Sequence, residues 1–448
     1  MRSLAEWLAR QESVHPKSID LGLERVASVA RTLGVDKPSC PVITVGGTNG
    51  KGSTVSHIEA FLRAGGITTG MFTSPHFIRY NERICVNGTE VGDDELISAF
   101  ERIEVARGTT TLTFFEYNAL AAFVIFTDRA VESMVLEVGL GGRLDATNLV
   151  DADVGVVCSI GFDHRDWLGD TLELIGAEKA GIFRAGRPAV LGTPDMPRSL
   201  FAAIEHLGAR PIVADRDFTW RVDRKRWGYD GLRLRLRDLP PSALAGSIQY
   251  RNAATALAAI EALGPDRLGA PFQLDLRSVS RALGSVRLAG RFQIVPGAGT
   301  LSRQASGVSH AHVASPSPGP GEWILDIAHN QPAAKVFAEH VRERPLPANA
   351  GRTVAVIGIL GDKDAREIVS ELNALVDHWV LCTLPGPRGV TAEQLGQRVQ
   401  LPAAIVTLAA SVEEGCEAAR AATRPADRVI VFGSVYTVGP ALQWLRIY

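Results

Sequence analysis

One stretch decides the fold of this chain: Pro41-Val42-Ile43-Thr44-Val45-Gly46-Gly47-Thr48-Asn49-Gly50-Lys51-Gly52-Ser53-Thr54. Its β-branched beginning predicts a strand, its glycines predict a loop, and the amphipathic residues 55–63 after it predict a helix. Glycines let backbone N–H groups turn towards an anion, and a helix start adds the positive end of a dipole. The stretch therefore predicts a phosphate-binding loop, in which Lys51 reaches the β- and γ-phosphates and the Ser53 or Thr54 hydroxyl faces Mg²⁺.

The spacing of this loop differs from the general pattern Gly-x-x-x-x-Gly-Lys-Ser/Thr. Gly52 stands between Lys51 and Ser53, and only three residues separate Gly46 from Gly50. A glycine-rich turn with a solvated lysine is the structural alternative. A dinucleotide site fits worse, because no Gly-x-Gly-x-x-Gly can be laid on this turn.

Length and composition describe an ordinary globular protein. A chain of 448 residues predicts two or three domains, and 46% apolar with 21% charged residues is typical of soluble proteins. With 47 basic and 49 acidic side chains the formal charge is -2, which gives no support to a nucleic-acid or membrane partner. Any phosphate site must therefore depend on a few neighbouring residues, and not on an overall positive charge.

Cysteine usage and hydropathy indicate a cytoplasmic protein. The five cysteines form no Cys-x-x-Cys pair, so they suggest neither a disulfide framework nor a zinc site. The first residues predict an amphipathic helix rather than a signal peptide, and no apolar run approaches about 18 residues. We expect a soluble protein of a reducing compartment.

Polar residues follow several predicted strands at their carboxyl ends. Ser74 follows the strand 67–72, Glu137 lies near the end of the strand 133–138, and His164 follows the strand 154–160. A carboxylate in an apolar strand is costly to bury unless it is paired or faces a metal. Since the carboxyl ends of parallel strands share one sheet edge, we expect these side chains near the phosphate-binding loop.

The pattern of elements predicts an α/β fold with two domains. Residues 1–288 read as a P-loop-type, mostly parallel sheet domain with an antiparallel region at 218–239. Residues 289–448 read as a smaller Rossmann-like domain, in which regular strand–helix units begin with the strand 323–327. The Gly-, Ser- and Pro-rich segment 296–321 reads as a surface insertion.

These motifs resemble the Mur-ligase superfamily and, within it, the bacterial bifunctional folate–glutamate ligases, over essentially the whole chain. The resemblance rests on the phosphate-binding loop with its unusual Gly52 and on several further matches in chain order. These are Thr73-Ser74-Pro75-His76, Phe114-Phe115-Glu116, residues 136–148, Asp163-His164, Glu178-Lys179-Ala180-Gly181-Ile182, Gly290-Arg291-Phe292 and Asp326-Ile327-Ala328-His329-Asn330.

The resemblance implies an ATP-dependent ligase of folate biosynthesis that forms an amide bond to L-glutamate. ATP would phosphorylate the carboxylate of dihydropteroate or of a reduced folate, and the glutamate amino group would attack the acyl phosphate. The implied cofactors are ATP and two Mg²⁺ ions. The implied partners are these small molecules alone, in a monomeric protein.

The resemblance also implies roles for particular residues. The catalytic set would be Lys51, Lys179 and His164, with Lys179 carried as a carbamate, and the metal ligands would be Ser74, Glu137 and His164. ATP would contact Thr48, Asn49, Gly50, Lys51, Gly52, Ser53, Asn252, Arg291 and Asp326. Substrates would contact Asp20, Leu21, Gly22, Thr113, Phe114, Phe115, Glu116, Leu144, Asp145, Ala146, His329 and Ser434, the last two on the glutamate side.

Two alternative functions remain open from the sequence. One is a different Mur-type amino-acid ligase, against which the segments assigned to the pterin argue. The other is a P-loop regulatory ATPase, which would need a Walker-B aspartate or a base-reading motif that this chain does not offer.

Overall fold

The computed structural model describes residues 2–15, 17, 19–269, 272–297, 319–346 and 351–447. The chain divides into one compact unit, Met1–Ala243 with Ile248–Leu288, and a second, Leu244–Ser247 with Ala289–Tyr448. Most of the insertion expected at 296–321 lies outside the described residues. Its first residue, Pro296, is the last residue of a strand.

The first unit contains both parallel and antiparallel structure. Its helices are α1 (Leu4–Val14), α2 (Glu24–Leu33), α3 (Lys51–Ala64), α4 (Asp93–Arg107), α5 (Phe114–Asp128), α6 (Arg165–Leu168), α7 (Leu172–Ala180), α8 (Arg198–Leu207), α9 (Ile248–Leu263), α10 (Pro265–Leu268) and α11 (Leu276–Ser285). Its strands are β1 (Val42–Gly46), β2 (Thr69–Phe72), β3 (Ile84–Val86), β4 (Thr89–Glu90), β5 (Ser133–Glu137), β6 (Val154–Val157), β7 (Pro188–Leu191), β8 (Arg210–Val213), β9 (Thr219–Asp223), β10 (Arg226–Asp230) and β11 (Arg235–Leu239).

The main sheet of this unit has the order β4-β3-β2-β5-β1-β6-β7-β8. β1 lies between β5 and β6, and it pairs with both in parallel. The predicted parallel sheet is confirmed, with β3 and β4 added as antiparallel strands at one edge. Strands β9 to β11 form the predicted antiparallel region. The loop after β1 therefore begins in the middle of the sheet, with the loops after β5 and β6 on either side.

Apolar packing holds the phosphate-binding loop between the sheet and its helices. Strand β1 is buried along its whole length, and α3 is buried from Gly52 to Leu62. Helices α1, α2, α4 and α5 contribute to one apolar core with β2 and β5. Helix α3 begins at Lys51, four residues before the predicted start, so the glycine- and hydroxyl-rich residues form its first turn.

The second unit is the Rossmann-like fold that the sequence predicts. Its strands are β12 (Gln293–Pro296), β13 (Glu322–Asp326), β14 (Thr353–Ile357), β15 (His378–Cys382), β16 (Val406–Ala409) and β17 (Arg428–Phe432), in the sheet order β12-β13-β17-β14-β15-β16. Its helices are α12 (Gln331–Arg342), α13 (Ala365–Leu372), α14 (Ala392–Val399), α15 (Val412–Ala422) and α16 (Val435–Trp444). The edge strands β12 and β16 are absent from the prediction. Within the described ranges, no helix is both long and apolar enough to cross a membrane.

Candidate active site

The loop after β1 has a backbone that requires glycine at two positions. Gly47 has φ +137° and Gly50 has φ +88°, which L side chains rarely adopt. A Cβ at Gly47 would lie 3.1 Å from the backbone nitrogen of Cys158, and one at Gly50 would lie 3.0 Å from Oδ1 of Asn252. The loop therefore passes close to the end of β6 and to α9, which brings Asn252 beside the predicted phosphate-binding residues.

The two predicted catalytic lysines meet on this loop. Nζ of Lys51 donates to the carbonyl oxygens of Gly47 and Thr48, at 3.1 and 3.2 Å. Nζ of Lys179, which projects from α7, donates to the same Gly47 oxygen at 3.1 Å. Burial, together with the charge of Lys51, lowers the pKa of Lys179 to about 7. Two lysine side chains therefore converge on one carbonyl just before α3, and the lowered pKa of Lys179 leaves part of its amine neutral near pH 7.

Two hydroxyl groups join the phosphate-binding loop to the loop after β6. Oγ1 of Thr48 donates to the carbonyl of Gly161 and accepts from its N–H, both at 3.0 Å. Oγ of Ser159 donates to the carbonyl of Asn49 at 3.0 Å and accepts from its N–H at 3.3 Å. The loop that leads to His164 is thus fixed against the loop that carries Lys51.

The predicted metal ligands lie at strand ends around this point. Glu137 ends β5 with only 4% of its surface exposed, and its Oε2 accepts from the N–H of Ser74 at 3.1 Å. His164 precedes α6 with φ +51°, and its Nε2 lies 3.9 Å from Oδ2 of the half-buried Asp163. The structure therefore brings Glu137 and Ser74 into contact.

The donor chemistry of these residues suits a hard divalent cation. Mg²⁺ keeps several waters and takes only one or two protein carboxylates, which the buried Glu137 at a strand end can supply. Among the described residues no three His, Cys, Asp or Glu side chains gather as a metal site. The predicted set contains only two residues of those types, Glu137 and His164, with the Ser74 hydroxyl as its third member.

Asn252 retains an unused hydrogen-bond acceptor. Its Nδ2 donates to Oε1 of Gln249 at 3.0 Å, while its Oδ1 is buried and has no hydrogen-bond partner in the part of the chain that the structure describes. Buried acceptors are rarely left unpaired. This oxygen, next to Gly50, fits a donor group of a bound nucleotide.

The segments predicted to bind the pterin surround the start of α5. Thr113 and Glu116 form a capping box: Oε2 of Glu116 accepts from the N–H of Thr113 at 2.7 Å, and Oγ1 of Thr113 accepts from the N–H of Glu116 at 3.2 Å. Phe114 and Phe115 follow Thr113 directly, both half-buried. A Cβ at Gly139, after β5, would lie 2.5 Å from the Phe115 ring, so the aromatic side chain reaches the end of β5.

Asp145 has a carboxylate that holds its own loop together. Oδ2 accepts from the N–H of Leu140 at 2.8 Å, and Oδ1 accepts from the N–H and hydroxyl of Thr147 at 3.0 and 2.6 Å. Burial raises the pKa of Asp145, while these hydrogen bonds oppose the change. Its neighbours Leu144 and Ala146 are half-buried and buried. Asp145 therefore shapes the loop from the inside.

In the second unit, Asp326 organises the loop that carries Arg291. The two oxygens of Asp326 accept from the N–H groups of Phe292 and Ala328, at 2.8 and 2.9 Å. Burial raises the pKa of Asp326, and the charge of Arg291 opposes that shift. Asp326 and Arg291, which the sequence assigns to ATP, thus act on each other electrostatically within this unit.

The two residues assigned to the glutamate side both lie at carboxyl ends of strands. Nδ1 of His329 lies 2.9 Å from the carbonyl of Ile327, just after β13. Ser434 is buried after β17, and its hydroxyl accepts from the N–H of Tyr436 at 3.2 Å as the N-cap of α16. The Ser434 hydroxyl therefore has a structural hydrogen bond already.

Sequence reasoning missed Arg25 and Ser159 as residues of this region, and it named Asp163 only as part of the Asp163-His164 motif, without a role. Arg25 contacts both Asp20 and Glu116. The sequence did carry a signal for Arg25. It is an arginine in the first turn of a helix that follows an aspartate-containing loop. Ser159 lies inside the predicted strand 154–160, whereas β6 ends at Val157 and leaves Ser159 in the loop.

Comparisons with known proteins show which family this chain belongs to. Family models described as the Mur ligase middle domain and the Mur ligase glutamate ligase domain match residues 45–197 and 313–435. The chain is 41% identical to dihydrofolate synthase/folylpolyglutamate synthase of Escherichia coli K12, over 98% of this chain and 95% of that protein.

Solved structures are similar over nearly the full length. The structure of E. coli FolC in complex with DHPP and ADP has a TM-score of 0.87 at 39% identity and covers 99% of this chain and 98% of that one. A bifunctional folylpolyglutamate synthase/dihydrofolate synthase with Mn, AMPPNP and L-glutamate bound has a TM-score of 0.86 at 37% identity, with 100% and 99% covered. The chain therefore belongs to the dihydrofolate synthase/folylpolyglutamate synthase family of the Mur ligases.

Proposed function

We propose that this chain joins L-glutamate to dihydropteroate to make dihydrofolate, and extends reduced folates with further glutamates, with ATP as phosphoryl donor. The observation that carries the proposal is the convergence of Lys51 and Lys179 on the carbonyl of Gly47, where α3 begins. The Lys51 cation, together with the unpaired N–H groups at a helix start, suits a ligand with several negative charges, such as a triphosphate. The names and bound ligands of the relatives supply the substrate class.

In the proposed reaction a substrate carboxylate oxygen attacks the γ-phosphorus of ATP, and ADP leaves. The amino group of L-glutamate then attacks the acyl carbon of the acyl phosphate, and inorganic phosphate leaves from the tetrahedral intermediate. Phosphoryl transfer depends mainly on positioning and charge neutralisation. We assign these tasks to the residues around the phosphate-binding loop.

Lys51 would leave the Gly47 and Thr48 carbonyls and bind the transferred phosphoryl group. The first N–H groups of α3, at Lys51, Gly52 and Ser53, have no partner within the helix and can face phosphate oxygens. Mg²⁺, when bound, supplies further charge neutralisation at the phosphates. Glu137, Ser74 and His164 would hold it, and Asn252 would accept a hydrogen bond from the nucleotide.

The domain roles follow from the same assignment. Residues 1–288 would form the ATP- and pterin-binding domain, and residues 289–448 the glutamate-ligase domain, with Arg291 and Asp326 serving the nucleotide and His329 and Ser434 the incoming glutamate. No observation favours either alternative function considered from the sequence, another Mur-type ligase or a regulatory ATPase.

We also propose that the protein acts in the cytoplasm as a monomer, without a nucleic-acid or membrane partner. The near-zero net charge supports this, as do the five cysteines, which are all free. Light scattering after gel filtration would give the oligomeric state, and cell fractionation would give the compartment.

Product analysis by mass tests the proposed activity directly. The protein is incubated with ATP, Mg²⁺, L-glutamate and either dihydropteroate or a reduced folate. We expect a product heavier by one glutamyl group for each bond formed, with one ADP released per bond. Hydrolysis of ATP that does not depend on the acceptor, with no ligated product, would contradict the proposal.

A further inference from the structure

We infer that Arg25 is a positioning residue that holds the two pterin-side segments, residues 20–22 and 113–116, in one arrangement. The inference rests on the proposed function, in which these segments bind the pterin-bearing substrate. The two segments belong to different parts of the chain, and they are not paired with each other in a sheet. Their mutual placement therefore depends on side-chain contacts.

A single guanidinium group contacts both segments. Nη1 of Arg25 lies 2.8 Å from Oδ2 of Asp20, and Nη2 donates to the Asp20 carbonyl at 2.9 Å. The same Nη2 donates to Oε1 of Glu116 at 3.1 Å. Arg25 thus fixes the backbone and the side chain of one segment and the carboxylate of the other.

Glu116 connects Arg25 to the start of α5. One of its oxygens accepts from Arg25, and the other caps the helix through the N–H of Thr113. Glu116 is buried, with 4% of its surface exposed. A buried carboxylate that loses its cationic partner is strongly destabilised, so a change at Arg25 reaches the turn that carries Phe114 and Phe115.

The place of Arg25 in its helix supports a dedicated role. It is the second residue of α2, where the helix dipole disfavours a positive charge. The carboxylates of Asp20 and Glu116 offset that cost. Nε of Arg25 is also buried and has no hydrogen-bond partner among the residues that the structure describes, so one donor remains for a water or a substrate oxygen.

Asp20 is anchored while its neighbours stay accessible. Besides Arg25, the carboxylate of Asp20 lies 3.4 Å from Nε2 of His15. Leu21 and Gly22, which follow it, are half-buried and keep surface that a ligand can contact. Arg25 should therefore control affinity for the pterin-bearing substrate, and not affinity for ATP or L-glutamate.

Steady-state kinetics of Arg25→Ala and Arg25→Lys, with each of the three substrates varied in turn, test this inference. For Arg25→Ala we expect the KM for dihydropteroate to rise about 10- to 100-fold, as for lost charge-assisted hydrogen bonds. We expect kcat to change less than about fivefold, and the KM for ATP and for L-glutamate to stay within about twofold. The KM of Arg25→Lys for dihydropteroate should lie between the values of the wild type and Arg25→Ala, since an ammonium cannot reproduce the forked contacts of a guanidinium group.

Arg31→Ala is the matched control, because Arg31 lies exposed in the last turn of the same helix. It should behave as the wild type. An unchanged KM for dihydropteroate in Arg25→Ala, or an equal rise in all three KM values, would overturn the inference. If Arg25→Ala does not fold, the same criteria apply to Arg25→Lys.

The outcome can be separated from the test of the proposed function. Calorimetric titration with dihydropteroate measures binding without turnover, and weaker binding by Arg25→Ala than by Arg31→Ala supports the inference. A wild-type protein that forms no ligated product contradicts the proposed function instead. An active wild type with equal dihydropteroate binding by both variants contradicts only the role of Arg25.

Discussion

Lys179 should react with CO₂ and act as a carbamate in the active protein. Burial and the nearby charge of Lys51 lower the pKa of Lys179 from its ordinary value of 10.5 to about 7. At pH 7 about half of such amines are neutral, against about one in 3,000 for a lysine of ordinary pKa. Because only the neutral amine attacks CO₂, the site contains about a thousandfold more of the reactive form.

The carbamate would also change the charge balance of the site. In the unmodified protein the Nζ atoms of Lys51 and Lys179 share the Gly47 carbonyl. When the nitrogen of Lys179 bonds to the carbon of CO₂ and releases a proton, an anion takes the place of the amine. The anion attracts Lys51 and any Mg²⁺ held by Glu137, which stabilises the modified form.

Removal and return of CO₂ provide the assay. At pH 6 in CO₂-free buffer the amine is mostly protonated, so we expect activity measured after return to pH 7 to be low and to recover when bicarbonate is added. Protein equilibrated with ¹³C-bicarbonate should show a carbamate signal that Lys179→Ala lacks. Lys179→Ala should lose at least about a hundredfold in turnover, and added acetate should partly restore it. Lys335→Ala, at an exposed position, is the control.

Two results together would refute the reasoning. One is full activity in CO₂-free buffer, and the other is a ¹³C spectrum of the wild type that matches that of Lys179→Ala. The low pKa of Lys179 would then serve only to make a buried amine tolerable beside Lys51.

Three further predictions concern the phosphate-binding loop, the metal and pH-dependent stability. Lys51→Ala should lower kcat/KM at least about a hundredfold with an unchanged unfolding midpoint, because it removes a cation from the phosphate site without emptying a core; near-normal activity of the folded variant would remove Lys51 from the site. Glu137→Gln keeps the shape and loses the charge, so the Mg²⁺ concentration for half-maximal activity should rise about tenfold; an unchanged titration would exclude Glu137 as a ligand. Burial lowers the pKa of His57 to about 4, so the unfolded chain, with a pKa near 6.5, takes up the proton first. Stability should therefore fall as pH drops from about 6.5 towards 4, by at most about 3 kcal/mol, and less so in His57→Gln; equal pH dependence in urea unfolding of both proteins would contradict this.

The centre of the fold could be predicted because its signals are local. The β-branched run of β1, the glycines after it and the carboxylate at the end of β5 each report their structure through neighbouring residues. Parallel pairing then places the ends of β5 and β6 on either side of the loop after β1, which is why the sequence predicts Glu137 as a site residue.

Other parts of the site depend on contacts between distant residues, which no local pattern reports. Arg25 and Glu116 are 91 residues apart in sequence, so nothing near either one indicates the pair. Helix α3 was predicted to begin too late, since Gly52, Ser53 and Thr54 are poor helix formers that tertiary packing holds in a helical turn. The short edge strand β12 carries a proline and lacks a clear alternation.

The paired hydrogen bonds between Thr48 and Gly161 constrain how this protein can diverge. The Thr48 hydroxyl both donates and accepts a hydrogen bond. Both bonds form only when the lengths of the two loops bring Thr48 opposite Gly161. A residue inserted or deleted in either loop would break both bonds at once, and it would shift His164 relative to the phosphate-binding loop. Sequence changes can accumulate at neighbouring positions, but the lengths of the two loops can change only together, and a loop transplanted from a relative would have to bring its counterpart.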